Sequence, residues 1–211
     1  MESCLKIDKA LFSKMLSHVA DLMIEQRGYF DELDAKFGDG DHGVTVEKIA
    51  KTIQRQLEGW AGQSISDFLS DLGEKIMTIG GGASSVLWGA WIGGLSQPAV
   101  SQEALDAEVV KSMFISALKE ISSTTMARVG DKTMMDALIP AVEAARSAPD
   151  EIAEILKSAA SAAKQGAKDT QNFVCSYGRA KYYGEKTLGT PDAGALSASL
   201  FFEGLASTLA K

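Results

Sequence analysis

The chain is poor in cysteine, proline, histidine, positive charge and long apolar runs, and each shortage excludes something. Two cysteines in 211 residues, Cys4 and Cys175, make no disulfide framework, so free thiols in a cytoplasmic protein are expected. Prolines stand only at 98, 140, 149 and 191, and alternating β-branched stretches are nearly absent, which leaves little material for strands. No apolar run reaches the ~18 residues needed to span a bilayer. The opening Met1-Glu2-Ser3-Cys4-Leu5-Lys6 lacks the continuous apolar core of a signal peptide. Lys and Arg number 21 against 28 Asp and Glu, a net charge of −7. That balance argues against nucleic acid or a membrane as partner.

Apolar residues make up 45 % of the chain, enough for a folded core, and the length suits one domain over 1–211. The apolar positions recur at helical spacing throughout. Asp8 is placed to cap a first helix that carries Leu11, Met15, His18, Leu22 and Met23 and runs toward Asp34, with a break near Gly28. A second helix starts near Asp41 and ends before Gly59, and a third starts near Ser64 or Ser66. The fourth follows Gly80-Gly81-Gly82 and carries Val86, Leu87, Trp88 and Trp91. The fifth covers about 103–123, the sixth starts near Asp131 and ends before Pro149, and the alanine-rich seventh covers about 151–173. The eighth covers about 192–210. Short joints between eight helices predict an all-α fold, an eight-helix antiparallel bundle or closed barrel. The longest non-helical stretch, about 174–190, is rich in Gly, Tyr and Lys, and loops of that length in compact domains are often functional.

Three stretches carry chemistry. In Asp34-Ala35-Lys36-Phe37-Gly38-Asp39-Gly40-Asp41-His42-Gly43, three carboxylates fall within the eight residues 34–41. Asp34 belongs on the last turn of one helix, Asp39 in the turn, and Asp41 at the N-cap of the next. Hard oxygen ligands so placed can converge on Mg²⁺ or Ca²⁺. A plain capping turn is the bland alternative. A calcium-binding EF-hand loop fails on spacing, because twelve-residue loops opening at Asp34 or Asp39 close on Thr45 or Ala50, where a Glu is needed. The second stretch, Gly80 to Ser85, reads as a glycine turn opening a helix, where free N–H groups and the helix dipole suit an anion. Neither it nor Gly130-Asp131-Lys132-Thr133 has the spacing of a P-loop. In the third, Gly178 to Gly194, Arg179 is suited to clamp phosphate, and Asp192 to cap a helix while touching ligand. Leu87 and Met134 are candidate apolar walls for a base. His18 and the three tryptophans, Trp60, Trp88 and Trp91, read as core, and Cys175 as inert. Together these are the parts of a Mg²⁺–nucleotide phosphate site.

In their order and spacing, Asp34…Gly38-Asp39-Gly40-Asp41-His42-Gly43, Gly81-Gly82-Ala83-Ser84, Gly130-Asp131-Lys132-Thr133-Met134-Met135-Asp136-Ala137-Leu138, Gly178-Arg179-Ala180, Gly184-Glu185-Lys186 and Pro191-Asp192-Ala193-Gly194 resemble the L subunits of dihydroxyacetone kinases. The resemblance implies an eight-helix barrel with a nucleotide at one rim. Asp34, Asp39 and Asp41 would hold two Mg²⁺ that bridge the phosphates of ADP or ATP. His42, Gly43 and Thr45 would lie by the phosphates, with Gly82, Ala83 and Ser84 at the helix N-terminus. Leu87, Thr133 and Met134 would flank the nucleotide, and Arg179, Pro191 and Asp192 would close the site.

The resemblance also implies a kinase active only with partners. A separate K subunit would hold dihydroxyacetone, and a phosphotransferase-system M subunit would recharge bound ADP. A homodimer in the cytoplasm is expected. The alternatives are an L-type subunit of a direct ATP-dependent kinase for another small ketose, such as a tetrulose, or a nucleotide-loaded regulatory adaptor. Thr45, where many members carry Asn, and Thr190-Pro191-Asp192-Ala193 in place of the commoner His-Pro-Asp-Pro depart from the family pattern, as a branch acting on another small ketose, such as a tetrulose, would.

Overall fold

Helices account for most of the computed structural model, which describes residues 5–209. Cys4, the first residues of the opening segment and the end of the eighth expected helix lie outside the described residues. The α-helices are α1 (Lys9–Glu25), α2 (Arg27–Asp34), α3 (His42–Glu58), α4 (Ile65–Met77), α5 (Gly82–Gly94), α6 (Ala107–Thr124), α7 (Met135–Ser147), α8 (Ile152–Asp169) and α9 (Ala193–Leu209). Their starts follow local chemistry. The Asp8 carboxylate accepts from Leu11 N at 2.8 Å, the Ser64 hydroxyl from Asp67 N at 3.0 Å, and the Asp106 carboxylate from Val109 N at 3.0 Å, each satisfying a donor that the first turn leaves open.

Eight of the helices form a ring. α1 packs on α3, α3 on α4, and so on through α9, which returns to α1. The expected antiparallel barrel is therefore closed, with α2 standing beside α3 as an extension of the first helix. The break falls at Gln26 rather than Gly28, because Gln26 alone leaves helical geometry there (φ −91°, ψ 3°). A pair of two-residue strands that the periodicity did not reveal, β1 (Ile7–Asp8) and β2 (Ala104–Leu105), ties the N-terminal segment to the α5–α6 connection.

The core is aromatic at its centre. Trp91, fully buried, meets Phe201 and Phe202 edge-on at 5.9 and 5.7 Å between ring centroids and stacks on Phe114 at 6.4 Å. Val86, on the fourth expected helix, is exposed. It sits in the first turns of α5, where that helix emerges at the rim. Closest approach comes at α7 and α8. Pro140 lies inside α7 and has no N–H for the carbonyl of Asp136. A Cβ on Gly166 of α8 would stand 2.0 Å from that carbonyl oxygen, so the glycine is what lets the two backbones meet.

The sixth expected helix begins four residues later than the sequence suggests. Gly130 (φ +100°) and Lys132 (φ +60°) take left-handed backbone. The Asp136 carboxylate binds that turn, accepting from Gly130 N at 2.6 Å and Thr133 N at 2.7 Å. Among the described residues no helix is long and apolar enough to cross a membrane.

Candidate nucleotide and metal site

In an up-and-down ring, alternate helices must start at the same end. Here α3, α5, α7 and α9 start together, at His42, Gly82, Met135 and Ala193. Four positive helix ends therefore surround one opening. A cavity of about 670 Å³ lies there, walled by the turn before α3, the start of α5, the end of α6 with the α6–α7 connection, and the segments that precede α9.

The aspartates stand at its mouth. Carboxylate oxygens of Asp34, Asp39 and Asp41 lie within 4.8 Å of one another, Asp34 half-buried and the other two exposed. Asp34 Oδ2 accepts from Gly40 N at 2.8 Å and Asp41 N at 3.2 Å, which folds the turn back over the end of α2. A Cβ at Gly38 would come within 2.3 Å of Asp34 Oδ1, so a side chain there would displace the carboxylate. Asp41 occupies the N-cap position of α3 as expected, yet its side chain makes no capping bond. Asp31 caps instead, accepting from Val44 N at 3.1 Å. The Asp41 carboxylate is thereby left to face the other two. Its pKa is raised by burial and by Asp39 and Asp34, against the pull of Arg179. Three converging hard oxygens that repel one another are a donor set suited to a divalent cation.

Opposite them, α5 begins at Gly82 (φ +59°) with no side-chain cap. Its first-turn N–H groups remain for an anion. The imidazole of His42 joins three helix starts. Nε2 lies 3.0 Å from the Ser197 hydroxyl, Nδ1 lies 3.4 Å from that of Ser84, and Phe30 meets the ring edge-on. Burial holds its pKa down, although Asp34 and Asp31 oppose this. A neutral ring in contact with Ser84 can accept or donate one hydrogen bond by choice of tautomer.

The far wall is the segment 173–192. Arg179 pairs with Asp39, and Tyr183 meets Phe37 edge-on at 5.3 Å, so this segment reaches the aspartate turn twice. Asp192 caps α9, accepting from Ala195 N at 2.7 Å. Burial, reinforced by Asp136, pushes its pKa up to about 7, despite the bond from Ala195 and the charge of Lys132.

Of the residues expected at the site, all but Gly43 and Thr45 line the cavity: Asp34, Asp39, Asp41, His42, Gly82, Ala83, Ser84, Leu87, Thr133, Met134, Arg179, Pro191 and Asp192. Gly43 is a packing position, since a Cβ on it would stand 2.1 Å from the carbonyl oxygen of Arg27. Thr45 is buried behind Gly81, where its methyl would meet a Cβ at 2.4 Å, so it supports the glycine turn from the back. Trp88, assigned to the core, is fully buried and also borders the cavity. His18, read as core, is half-buried and links α1 to α9 through Ser207 at 3.1 Å.

Three residues were not foreseen here: Lys132 and Cys175, which line the cavity, and Asp136 behind it. The signal for the first and last is a Lys and an Asp four apart beside a glycine, which alone suggests only a surface helix pair.

Residues 36–207 match the DAK2 domain family. The chain belongs to this family. A relative from Escherichia coli K12, the ADP-binding subunit DhaL of a PEP-dependent dihydroxyacetone kinase, is 29 % identical over 194 residues, 90 % of this chain and 92 % of that one. L-erythrulose kinase of Pectobacterium atrosepticum is 31 % identical over 205 residues, 92 % of this chain but 34 % of that protein. The crystal structure of the dihydroxyacetone kinase from C. freundii in complex with AMP-PNP and Mg²⁺ aligns with a TM-score of 0.72 at 26 % identity, covering 97 % of this chain and 35 % of that one. This DAK2 domain thus spans about a third of the last two proteins and nearly all of the first.

Proposed function

We propose that this DAK2 domain is the nucleotide-holding subunit of a dihydroxyacetone kinase. Its bound nucleotide would pass a terminal phosphoryl group to dihydroxyacetone held on a separate K subunit. An M subunit of the phosphoenolpyruvate phosphotransferase system would then recharge the ADP in place. The observation that carries this reading is the meeting of the three aspartates with the uncapped start of α5 across one cavity. Asp34, Asp39 and Asp41 would hold two Mg²⁺, whose chemistry is to neutralise and orient phosphate oxygens. Ala83 and Ser84 would donate to phosphate from the helix start, and Arg179 from the facing segment. Leu87 and Met134 would flank the base.

No side chain of this chain is asked to act as nucleophile, since positioning and charge compensation are what phosphoryl transfer requires of a protein. We place the protein in the cytoplasm, as a single domain over 1–211 and as a homodimer.

The likeness to L-erythrulose kinase supports a second reading, in which a tetrulose is the acceptor and ATP the direct donor. One experiment separates the two. The purified protein is denatured, and released nucleotide and Mg²⁺ are counted. Stoichiometric ADP that survives dialysis supports the recharged-coenzyme reading. An empty site that binds ATP reversibly supports the direct kinase. Absence of any Mg²⁺-dependent nucleotide affinity overturns both.

A further inference from the structure

One buried cation in the cavity wall has no part in the reading above. Lys132 is 4 % exposed and holds left-handed backbone at φ +60° without being glycine, a combination that costs free energy twice, in desolvation and in conformation. What it gains is visible at its ammonium group. Nζ donates to the carbonyls of Thr170 at 2.7 Å, Phe173 at 3.3 Å and Thr190. An ammonium has three donors and no acceptor, and all three are used on backbone.

The position of those carbonyls matters. Phe173 precedes and Thr190 follows the stretch 174–189 that carries Arg179 and Tyr183. At its outer end that stretch is held by the ring contact of Tyr183 with Phe37 and by one exposed ion pair. The Arg179–Asp39 pair has side chains 67 % and 42 % exposed, and ion pairs so exposed contribute little. The firmer hold is at the base, where Ser176 N donates to the Asp131 carbonyl at 3.1 Å and Gly189 N to that of Gln171 at 2.7 Å, and where Lys132 joins both ends of the stretch to the turn that leads into α7.

We propose that Lys132 is a positioning residue that closes the 174–189 segment at its base, keeps Arg179 over the aspartates and so sets how long Mg²⁺–nucleotide stays bound. The proposal rests on the nucleotide reading above. A methionine of similar length would fill the same space without the desolvation penalty, but it could not gather three carbonyl oxygens. Its neighbours support the same role. Asp136 fixes the turn from beneath, and the Thr170 hydroxyl accepts from Asp192 N at 2.8 Å, which carries the tie on to α9.

The test uses K132N in the full chain. Asparagine tolerates the left-handed region but is too short to reach the carbonyls. Hydrogen exchange is followed by mass spectrometry, and release of fluorescent ADP, with Mg²⁺ present, by stopped flow. The expected result is faster exchange confined to about 170–190. Nucleotide release should accelerate about tenfold, the equivalent of one lost strong hydrogen bond, with association little changed. Uniform loosening of the whole barrel, or unchanged exchange and release, would overturn the proposal. If K132N does not fold, K132R keeps the charge in a planar group that cannot meet three convergent oxygens. A smaller change of the same kind is then expected, and wild-type behaviour overturns the proposal. Hydrogen exchange needs no nucleotide. A wild type that binds none would overturn the functional reading and the retention role, while local loosening in K132N would still show the closure.

Discussion

Replacing Asp192 by asparagine isolates one charge, because the amide oxygen of asparagine can keep the 2.7 Å capping bond from Ala195 N. In the wild type, burial pushes this carboxyl from 3.8 up to about 7. The folded protein therefore favours the protonated form. The associated stability is fully present below pH 3.8, the ordinary value for the unfolded chain, and is lost as the pH rises through 7. The whole interval corresponds to about 4 kcal/mol at ~1.36 kcal/mol per pH unit. Between pH 5 and pH 8 the two-state titration gives a loss of about 2.5 kcal/mol. Urea unfolding of wild type and D192N in EDTA, at both pH values, measures it directly. The asparagine protein should gain about 2.5 kcal/mol relative to wild type on going from pH 5 to pH 8. His42, whose lowered pKa gives the opposite slope, is common to both proteins and cancels in the difference. A difference that stays flat across this range would show that Asp192 is ionised in the fold at pH 5, and the account of its buried surroundings would be wrong.

Asp39→Asn should abolish Mg²⁺-dependent nucleotide binding and phosphoryl transfer while leaving far-ultraviolet circular dichroism unchanged; loss of the helical signal would point to a structural metal instead. Gly38→Ala, whose Cβ would stand 2.3 Å from Asp34 Oδ1, should weaken Mg²⁺ binding about tenfold or more in calorimetry, with a small effect on the melting temperature; unaltered affinity would mean that Asp34 does not bind the ion. Chelation should speed hydrogen exchange over 34–43, since the three carboxylates then repel one another without compensation. No change there would mean that they share no cation. Gly166→Ala, with its Cβ directed at the Asp136 carbonyl at 2.0 Å, should destabilise by about 1–3 kcal/mol in thermal unfolding; a neutral effect would refute the close α7–α8 approach.

The ring was legible because each helix announces its buried face by periodicity, and Asp8 and Ser64 announce their starts by chemistry that acts within three residues. The aspartate turn was legible for the same reason, since Asp34 to Asp41 is a local arrangement. What could not be read depends on partners far along the chain. Asp31, on α2 and thirteen residues before Val44, takes over the capping bond that Asp41 was expected to make. Thr45 faces the back of Gly81 because of how α3 meets the start of α5. The late start of α7 depends on the left-handed backbone at Lys132, which helix propensity disfavours and which the distant carbonyls of Thr170, Phe173 and Thr190 compensate.

The charge of the molecule then poses a question that the fold answers. A protein of net charge −7 that places three aspartates at the mouth of its cavity should repel a nucleotide polyphosphate. Its side chains offer little relief: Lys132 uses all its donors on carbonyls, and Arg179 is drawn toward Asp39. Two sources of positive potential remain. One is backbone, the four helix starts that an up-and-down ring must present at one rim. The other would be cations gathered by the aspartates themselves. The helix starts are permanent and short-ranged, so they can orient an anion that is already close. The carboxylates repel that anion until a cation offsets them, which would make metal a condition of binding rather than an aid to it. An acidic chain with this topology would thus select phosphate that arrives together with a divalent ion, because one rim carries both the aspartates and the helix starts.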